Sequence, residues 1–179
     1  MGRKRIVGMI LMCALVSGVQ AGASDNAGLS FVGTTVDVTS AGDILSARDV
    51  ELNVAGGVLY SEHVDFPVWA QTGRTDYSVV KLQGESMLLA PDGAEFRFSE
   101  AKLNRDNSQI TLIKGGQVTH TPAGGLSKDD PDTYGCRGNK ITINGLTQAF
   151  SLVCIGHVQI SCSGGVLQVQ VFTDACAID

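Results

Sequence analysis

Apolar and polar residues alternate in short runs along this chain. In one run, Val50, Leu52 and Val54 alternate with Asp49, Glu51 and Asn53, and a period of two places one set on a single face of a β-sheet. No ten residues hold a capped period of 3.6. The pattern therefore predicts an all-β chain, with strands in residues 31–38, 50–54, 58–68, 79–82, 87–89, 95–99, 110–113, 141–143, 150–161 and 166–173.

Turn-forming residues separate these strands at intervals of about 10 to 15 residues. Gly56–Gly57, Asn144–Gly145 and Gly164–Gly165 are the clearest, and Asn-Gly is typical of a tight hairpin. This spacing is typical of a β-sandwich, a jelly roll or a short solenoid, and the fold that we predict is a rolled antiparallel sheet, a β jelly roll or a short β-solenoid. We expect residues 24–179 to form one all-β domain. The irregular stretch 121–135 is either a mobile loop or an internal boundary between two half-domains.

The first 23 residues have the composition of a secretory signal peptide. Arg3, Lys4 and Arg5 precede an apolar run at residues 6–19, and an Ala-rich exit ends at Ala23. This order of basic, apolar and small residues is typical of export signals. Its removal would leave 156 residues, with ten basic and eighteen acidic side chains and a net charge of −8. We therefore expect a periplasmic or secreted protein, and so acidic a chain excludes a general nucleic-acid binder.

Four cysteines remain after residue 23, all within the last 44 residues. An even number in an exported chain predicts two disulfides, for which three pairings exist. A hairpin centred on Gly164–Gly165 would bring residues 154 and 176 together. We therefore predict the pairs Cys154–Cys176 and Cys136–Cys162.

Two segments have a similar order of apolar residues and glycine. Without a gap, residues 110–120 align with residues 150–160, so that Leu112, Gly116 and Val118 match Leu152, Gly156 and Val158. Either the two are copies of a strand–bulge–strand unit with a shared apolar seam, or they are generic hairpins that look alike.

The same segments carry a resemblance to a known family. Residues 94–96 with 110–118, and residues 138–143 with 152–158, resemble the repeat of the OstA-like lipopolysaccharide-transport proteins, over roughly residues 82–173. The resemblance implies an open-ended β jelly roll whose interior binds acyl chains. It also implies end-to-end self-association or docking to other β-jelly-roll proteins of the envelope. Residues 24–80, the stretch 121–135 and the cysteine-rich C-terminus depart from the family pattern.

A rolled sheet with alternating side chains can offer an apolar interior to acyl chains. Each residue of such an interior could equally be an ordinary core side chain. Head-group contacts would involve local cations, for which Lys102, Arg105, Lys114, Arg137 and Lys140 are available. Our candidates for a lipid-binding groove are Phe96, Phe98, Ile110, Leu112, Val118, Ile141, Ile143, Phe150, Leu152, Val158 and Ile160.

Motifs for catalysis, cofactors or metals are missing from the sequence. The three histidines lie far apart, and no nucleophile elbow or phosphate-binding loop occurs. His63 and Asp65 share a strand face and could form a pair. The first hypothesis is an exported, non-enzymatic protein that binds or carries lipopolysaccharide-type lipid. The alternatives are an exported structural or adhesive β domain without a small ligand, and a hydrolase with an unrecognised site.

Overall fold

The computed structural model describes residues 31–54, 57–113, 116–124, 131–149, 152–155 and 158–172. The predicted signal peptide, Phe150 and Cys176 lie outside these residues. The described chain forms fourteen strands: β1 (Phe31–Val32), β2 (Thr35–Val38), β3 (Ile44–Val54), β4 (Gly57–Asp65), β5 (Val79–Leu89), β6 (Glu95–Asn104), β7 (Gln109–Leu112), β8 (Val118–Thr121), β9 (Asp132–Arg137), β10 (Lys140–Ile143), β11 (Leu146–Ala149), β12 (Val153–Ile155), β13 (Val158–Ser163) and β14 (Val166–Val171).

All fourteen strands belong to one antiparallel sheet, which confirms the all-β prediction. Its main path runs β1-β3-β4-β5-β6-β7-β14-β13-β12. A second path leaves β6 through β8 and continues to β9, β10 and β11. The consecutive strands β3 to β7 are antiparallel neighbours, so the structure is a rolled antiparallel sheet and not a stack of solenoid coils.

Every strand from β3 to β6 is irregular at the same level across the sheet. Asp49 and Glu100 have positive φ angles of 48°, and the pairing register shifts beside Glu62 and Gly84. Strands β1 and β2 are likewise interrupted at Gly33, and β7 and β8 are interrupted between residues 112 and 118. We call this line the seam. Because a bulged strand bends, the seam creases the whole sheet.

The crease produces two layers that face each other. Layer one holds β2, the first halves of β3 and β5, the second halves of β4 and β6, and β7, β14, β13 and β12. Layer two holds β1, the other halves of β3, β4, β5 and β6, and β8, β9, β10 and β11. Buried side chains from both halves, such as Ala47 and Val50 on either side of Asp49, form one core cluster. The inserted residue keeps both halves of β3 facing the same interior.

The sheet forks after β8. Strand β7 pairs with β14 in layer one, through Ile110 and Val169, whereas β8 pairs with β9 in layer two, through Val118 and Tyr134. Beyond this point none of the described strands passes from one layer to the other. We call β1–β8 the fused region and β9–β14 the forked region.

Two sequence expectations are corrected by the structure. Residues 150–161 do not form one strand, because the chain turns between β12 and β13 and Val153 pairs with Ile160. The proposed repeat fails for the same reason. In its first copy β7 and β8 follow each other along β6, as a strand–bulge–strand unit would, but its second copy is a hairpin.

The stretch 121–135 is shorter than expected. Strand β8 includes Thr121 and β9 begins at Asp132, and the two strands are paired neighbours in layer two. The two strands that it joins therefore lie in one layer, and core residues from both sides of it belong to the same cluster. Residues 125–130 are outside the described part of the chain.

Candidate functional site

Most of the groove candidates are core side chains. Ile143 is half-buried, Leu152 is exposed, and Phe150 is outside the described residues. The other eight are no more than 5% exposed and lie in the interior between the layers: Phe96, Phe98, Ile110, Leu112, Val118, Ile141, Val158 and Ile160. A lipid could contact these eight side chains only if the two layers separated.

Apolar side chains reach solvent where the interior ends at β11 and β12. Ile141 is buried in the interior, so Ile143, two residues further along the strand, faces the same way. Its directly opposed partner Leu146 shares that face and is 72% exposed. We call the parts of the two layers that lie in the forked region the leaves. On the facing leaf, Val153 and Ile155 pair with the buried residues Ile160 and Val158 and pack against the core. We call this opening the C-terminal mouth.

A similar opening lies at the other end of the roll. Val36 is opposite the buried Ala47, and Val38 is opposite Ile44, which packs against the core. The two valines therefore face the interior, yet they are 42% and 56% exposed. We call this opening the N-terminal mouth. The apolar interior thus reaches solvent at both ends of the described strands.

A disulfide holds the two leaves of the forked region together. Cys136 of β9 is bonded to Cys162 of β13, with their Cα atoms 5.7 Å apart, which confirms the predicted pair. Nearby, the Gly165 amide donates a hydrogen bond to the Gly138 carbonyl, and the Gly164 amide donates to Asn139 Oδ1 at 2.9 Å. These links lie on the seam side, where the fork begins.

The second predicted disulfide stays a prediction. Cys154 is disulfide-bonded, but Cys176 lies outside the described residues. The register used to predict the pair is wrong, because Cys154 belongs to β12 and is opposite Gln159. Cys154 therefore does not lie on an extension of β13, as the predicted register required in order to place it opposite residue 176.

The outer face of layer two has an open depression near the disulfide. A cavity of about 330 Å³ is lined by residues that include Gln117, Thr133, Gly135, Arg137 and Thr142. Arg137 is paired in register with Lys140, and both are exposed. This places two of the five candidate cations side by side.

The remaining candidate cations lie elsewhere. Lys102 is exposed on the outer face of layer one, and Arg105 donates to the Tyr77 carbonyl at 2.8 Å. Partial burial lowers the pKa of the Arg105 guanidinium below its ordinary value. Lys114 is outside the described residues.

His120 is a buried titratable group that the sequence reading did not single out. Its ring stacks on Phe96 with centroids 4.8 Å apart, and its Nδ1 lies 3.7 Å from Asp132 Oδ2. The Asp132 carboxylate accepts hydrogen bonds from Asn144 Nδ2 at 2.8 Å and from the Tyr134 hydroxyl at 3.4 Å. Burial lowers the pKa of His120 and raises that of Tyr134. Within the described residues neither His120 nitrogen has a hydrogen-bond partner, so the neutral ring is favoured.

His63 and Asp65 form the predicted pair, with Nε2 and Oδ1 3.0 Å apart. Both face outwards, and Asp65 also accepts a hydrogen bond from Gln83. The nearest hydroxyl along the strand, Ser61, faces the interior, where it bonds to Ser86 at 3.0 Å. The imidazole and this hydroxyl therefore lie on opposite faces of the sheet and cannot act together. No group of three His, Cys, Asp or Glu side chains among the described residues could hold a metal ion.

The sequence reading missed the two mouths and His120. Val36 and Val38 were within a predicted strand, but alternation alone does not say that this strand is last in its layer. Leu146 directly follows the recognised Asn144–Gly145 turn, so a strand returning from that turn was the available signal. His120 alternates with Val118 on the buried face of β8, and this period could have been read from the sequence.

Comparison of the chain with protein-family models, with curated proteins and with solved structures finds no match. Within the described ranges there is no helix long and apolar enough to cross a membrane.

Proposed function

We propose that this protein binds a lipopolysaccharide-type lipid by its acyl chains and carries it in the periplasm. The observation that supports this is the pair of mouths, where side chains of the inner face stay uncovered at each end of a two-layer apolar interior. Large apolar side chains that are exposed next to a hydrophobic interior are typical of a ligand or partner surface.

The acyl chains would enter at the C-terminal mouth. There the Cys136–Cys162 bond holds the two leaves together on the seam side, and the far side lacks the shared strands of the fused region. Spreading the leaves would expose Ile143, Val153 and Ile155 to a chain that enters beside Leu146. Head-group phosphates would find Arg137 and Lys140 on the outer face of the same leaf as Leu146.

The two mouths also support an assembly proposal. Strands β1 and β2 end one side of the sheet, and β11 and β12 end the other. Pairing of these edges between copies, or with another envelope β jelly roll, would join the interiors into a longer apolar path.

Binding of a fluorescent lipid A analogue to the processed protein tests the proposal. We expect saturable binding that Leu146→Asp and Val38→Asp each weaken by about tenfold or more, because a buried Leu or Val side chain contributes about 1.5–3 kcal/mol. Thr147→Asp and Thr35→Asp are matched controls, since they place the same charge on the same strands, β11 and β2, but on the outer face.

A second candidate function is a structural or adhesive domain without a small ligand. It is favoured by the complete burial of Phe96, Ile110 and Val158, which leaves the interior filled by its own side chains. Absence of saturable binding, together with no acyl chain retained on extraction of the purified protein, would decide for this function and against lipid carriage.

A further inference from the structure

The connection between β4 and β5 carries an exposed apolar tip on the rim of layer one. Val68 is 46% exposed and Trp69, the sole tryptophan of the chain, is 52% exposed. The two are neighbours at the far end of a narrow turn, so together they present more apolar surface than a scattered exposed residue would.

This tip is fixed by the fold. Val68 and Thr75 form a β-bridge, the Trp69 amide donates to the Arg74 carbonyl at 2.8 Å, and the Gly73 amide donates to the Trp69 carbonyl at 2.8 Å. At its base, Phe66 is buried and meets Tyr77 edge-on with centroids 5.3 Å apart. Binding through the tip would therefore require little additional ordering.

An ion pair between an exposed arginine and a buried carboxylate ties the same turn to a neighbouring one. Arg74 Nε lies 2.6 Å from Asp43 Oδ2, and the Asp43 side chain is only 8% exposed. The pair raises the pKa of Arg74 above its ordinary value, which keeps the guanidinium charged. Arg74 Nη2 also donates to Asp43 Oδ1 at 2.9 Å, so the two charges offset each other, and the 65% of the Arg74 side chain that stays exposed leaves it accessible to a lipid phosphate.

The chemistry of the tip favours a lipid bilayer as its partner. Residues 66–75 include one arginine and no acidic residue, in a chain with eighteen acidic residues. Tryptophan prefers the boundary between head groups and acyl chains, because its ring is apolar and its N–H is polar. Val68 and Ala70 flank the ring with aliphatic surface, whereas a sugar site would need several polar groups converging on the ring.

We propose that the 67–74 turn docks on the surface of a lipid bilayer, with Trp69 at the interface and Arg74 beside the lipid phosphates. Such docking would hold the rim of layer one against the membrane. It does not depend on lipid entering the interior.

The sole tryptophan allows a direct test with the processed protein and vesicles of phosphatidylethanolamine and phosphatidylglycerol. We expect the Trp69 emission to shift to shorter wavelength and to be quenched by lipids brominated along the acyl chain. Trp69→Ala and Val68→Ser should reduce co-sedimentation with vesicles by about tenfold and threefold, since less apolar surface is buried. Val32→Ser, which removes an exposed aliphatic side chain from the outer face of β1, should leave it unchanged.

An unshifted, unquenched emission, or undiminished co-sedimentation of Trp69→Ala, would overturn the proposal. Quenching by a soluble oligosaccharide without any effect of vesicles would also overturn it, in favour of a sugar site. Because Leu146→Asp affects only the C-terminal mouth, vesicle docking by a variant that fails to bind the lipid A analogue would separate this proposal from lipid carriage.

Discussion

The fused and forked regions hold two β layers together in different ways. In the fused region β3, β4, β5 and β6 each run through both layers, so the main chain itself joins them at the seam. In the forked region the leaves are separate hairpin systems, joined by the Cys136–Cys162 bond and the hydrogen bonds around Gly138.

This difference indicates where the roll resists opening. Separating the layers of the fused region would require breaking the bends of several strands and exposing a shared core. Separating the leaves of the forked region on the side away from the Cys136–Cys162 bond would bend no strand that runs through both layers. The two regions should therefore differ in local stability, and the following substitutions test that difference.

Phe96→Ala should have the largest effect. Phe96 is fully buried in β6 and stacks on His120, so the truncation leaves a large cavity in the fused region. We expect a loss of about 3–5 kcal/mol in the free energy of unfolding, measured by chemical denaturation. Hydrogen exchange should accelerate in both regions together. Ile113→Ala, at a 47% exposed position, is the control; acceleration confined to β6 and its neighbours would contradict the shared core.

Replacing both Cys136 and Cys162 by alanine should affect the forked region selectively. The bond closes a loop between residues 26 apart, and restoring that freedom to the unfolded chain costs about 3.5 kcal/mol. Hydrogen exchange should accelerate in β9, β10, β13 and β14 while β3 to β5 stay protected. Equal acceleration in the fused region would remove the distinction between the two regions.

Gly84→Ala tests the seam. Gly84 has a φ angle of 78°, and an added Cβ would meet the Glu62 carboxylate. We expect destabilisation by about 1–2 kcal/mol from the left-handed conformation. The contact with Glu62 should destabilise the fold further, and adding Glu62→Ala to the same chain should relieve that part. Gly42→Ala, at a φ of 86° with open space around it, should show the conformational cost alone. Melting curves of the wild-type protein and of these variants provide the measurement. A loss of stability in Gly84→Ala no greater than that in Gly42→Ala would show that the seam is not tightly packed around Gly84.

The smallest effect is the pH dependence of the free energy of unfolding that comes from His120 in β8, where the fused and forked regions meet. Burial lowers the folded-state pKa of His120 below its ordinary value of 6.5, so the unfolded chain binds a proton more readily. The stability from this group is present above pH 6.5 and is lost as the pH falls towards the folded pKa, at no more than about 1.4 kcal/mol per pH unit. Unfolding free energies at several pH values should lose this slope in His120→Leu. A slope that persists would assign it to other groups.

Local pattern predicted much of this fold, and its limits have physical causes. Alternation placed Leu52, Phe96 and Ile110 on buried faces, and Asn144–Gly145 and Gly164–Gly165 form the expected turns, with all four residues at positive φ. The two copies of the apparent repeat have different structures, because Leu112 is paired along β6, whereas Leu152 precedes a hairpin and is 49% exposed. Which strand ends a layer depends on pairing between distant segments, so alternation within a segment does not predict the mouths. The Cys136–Cys162 pair was predicted correctly, although its companion rested on a wrong register.

The strand order also determines when the fold can be completed during synthesis. Strand β14 is the last of the described strands, yet it lies between β7 and β13, where Val169 pairs with Ile110. Until the ribosome has added these final residues, one edge of β7 has no partner, and Cys136 has to wait for Cys162. An open edge of this kind can pair with other chains, and pairing between distant segments is slow to form. A newly made chain that lost only its last few strands would therefore be left with an unpaired β7 edge in the middle of its sheet.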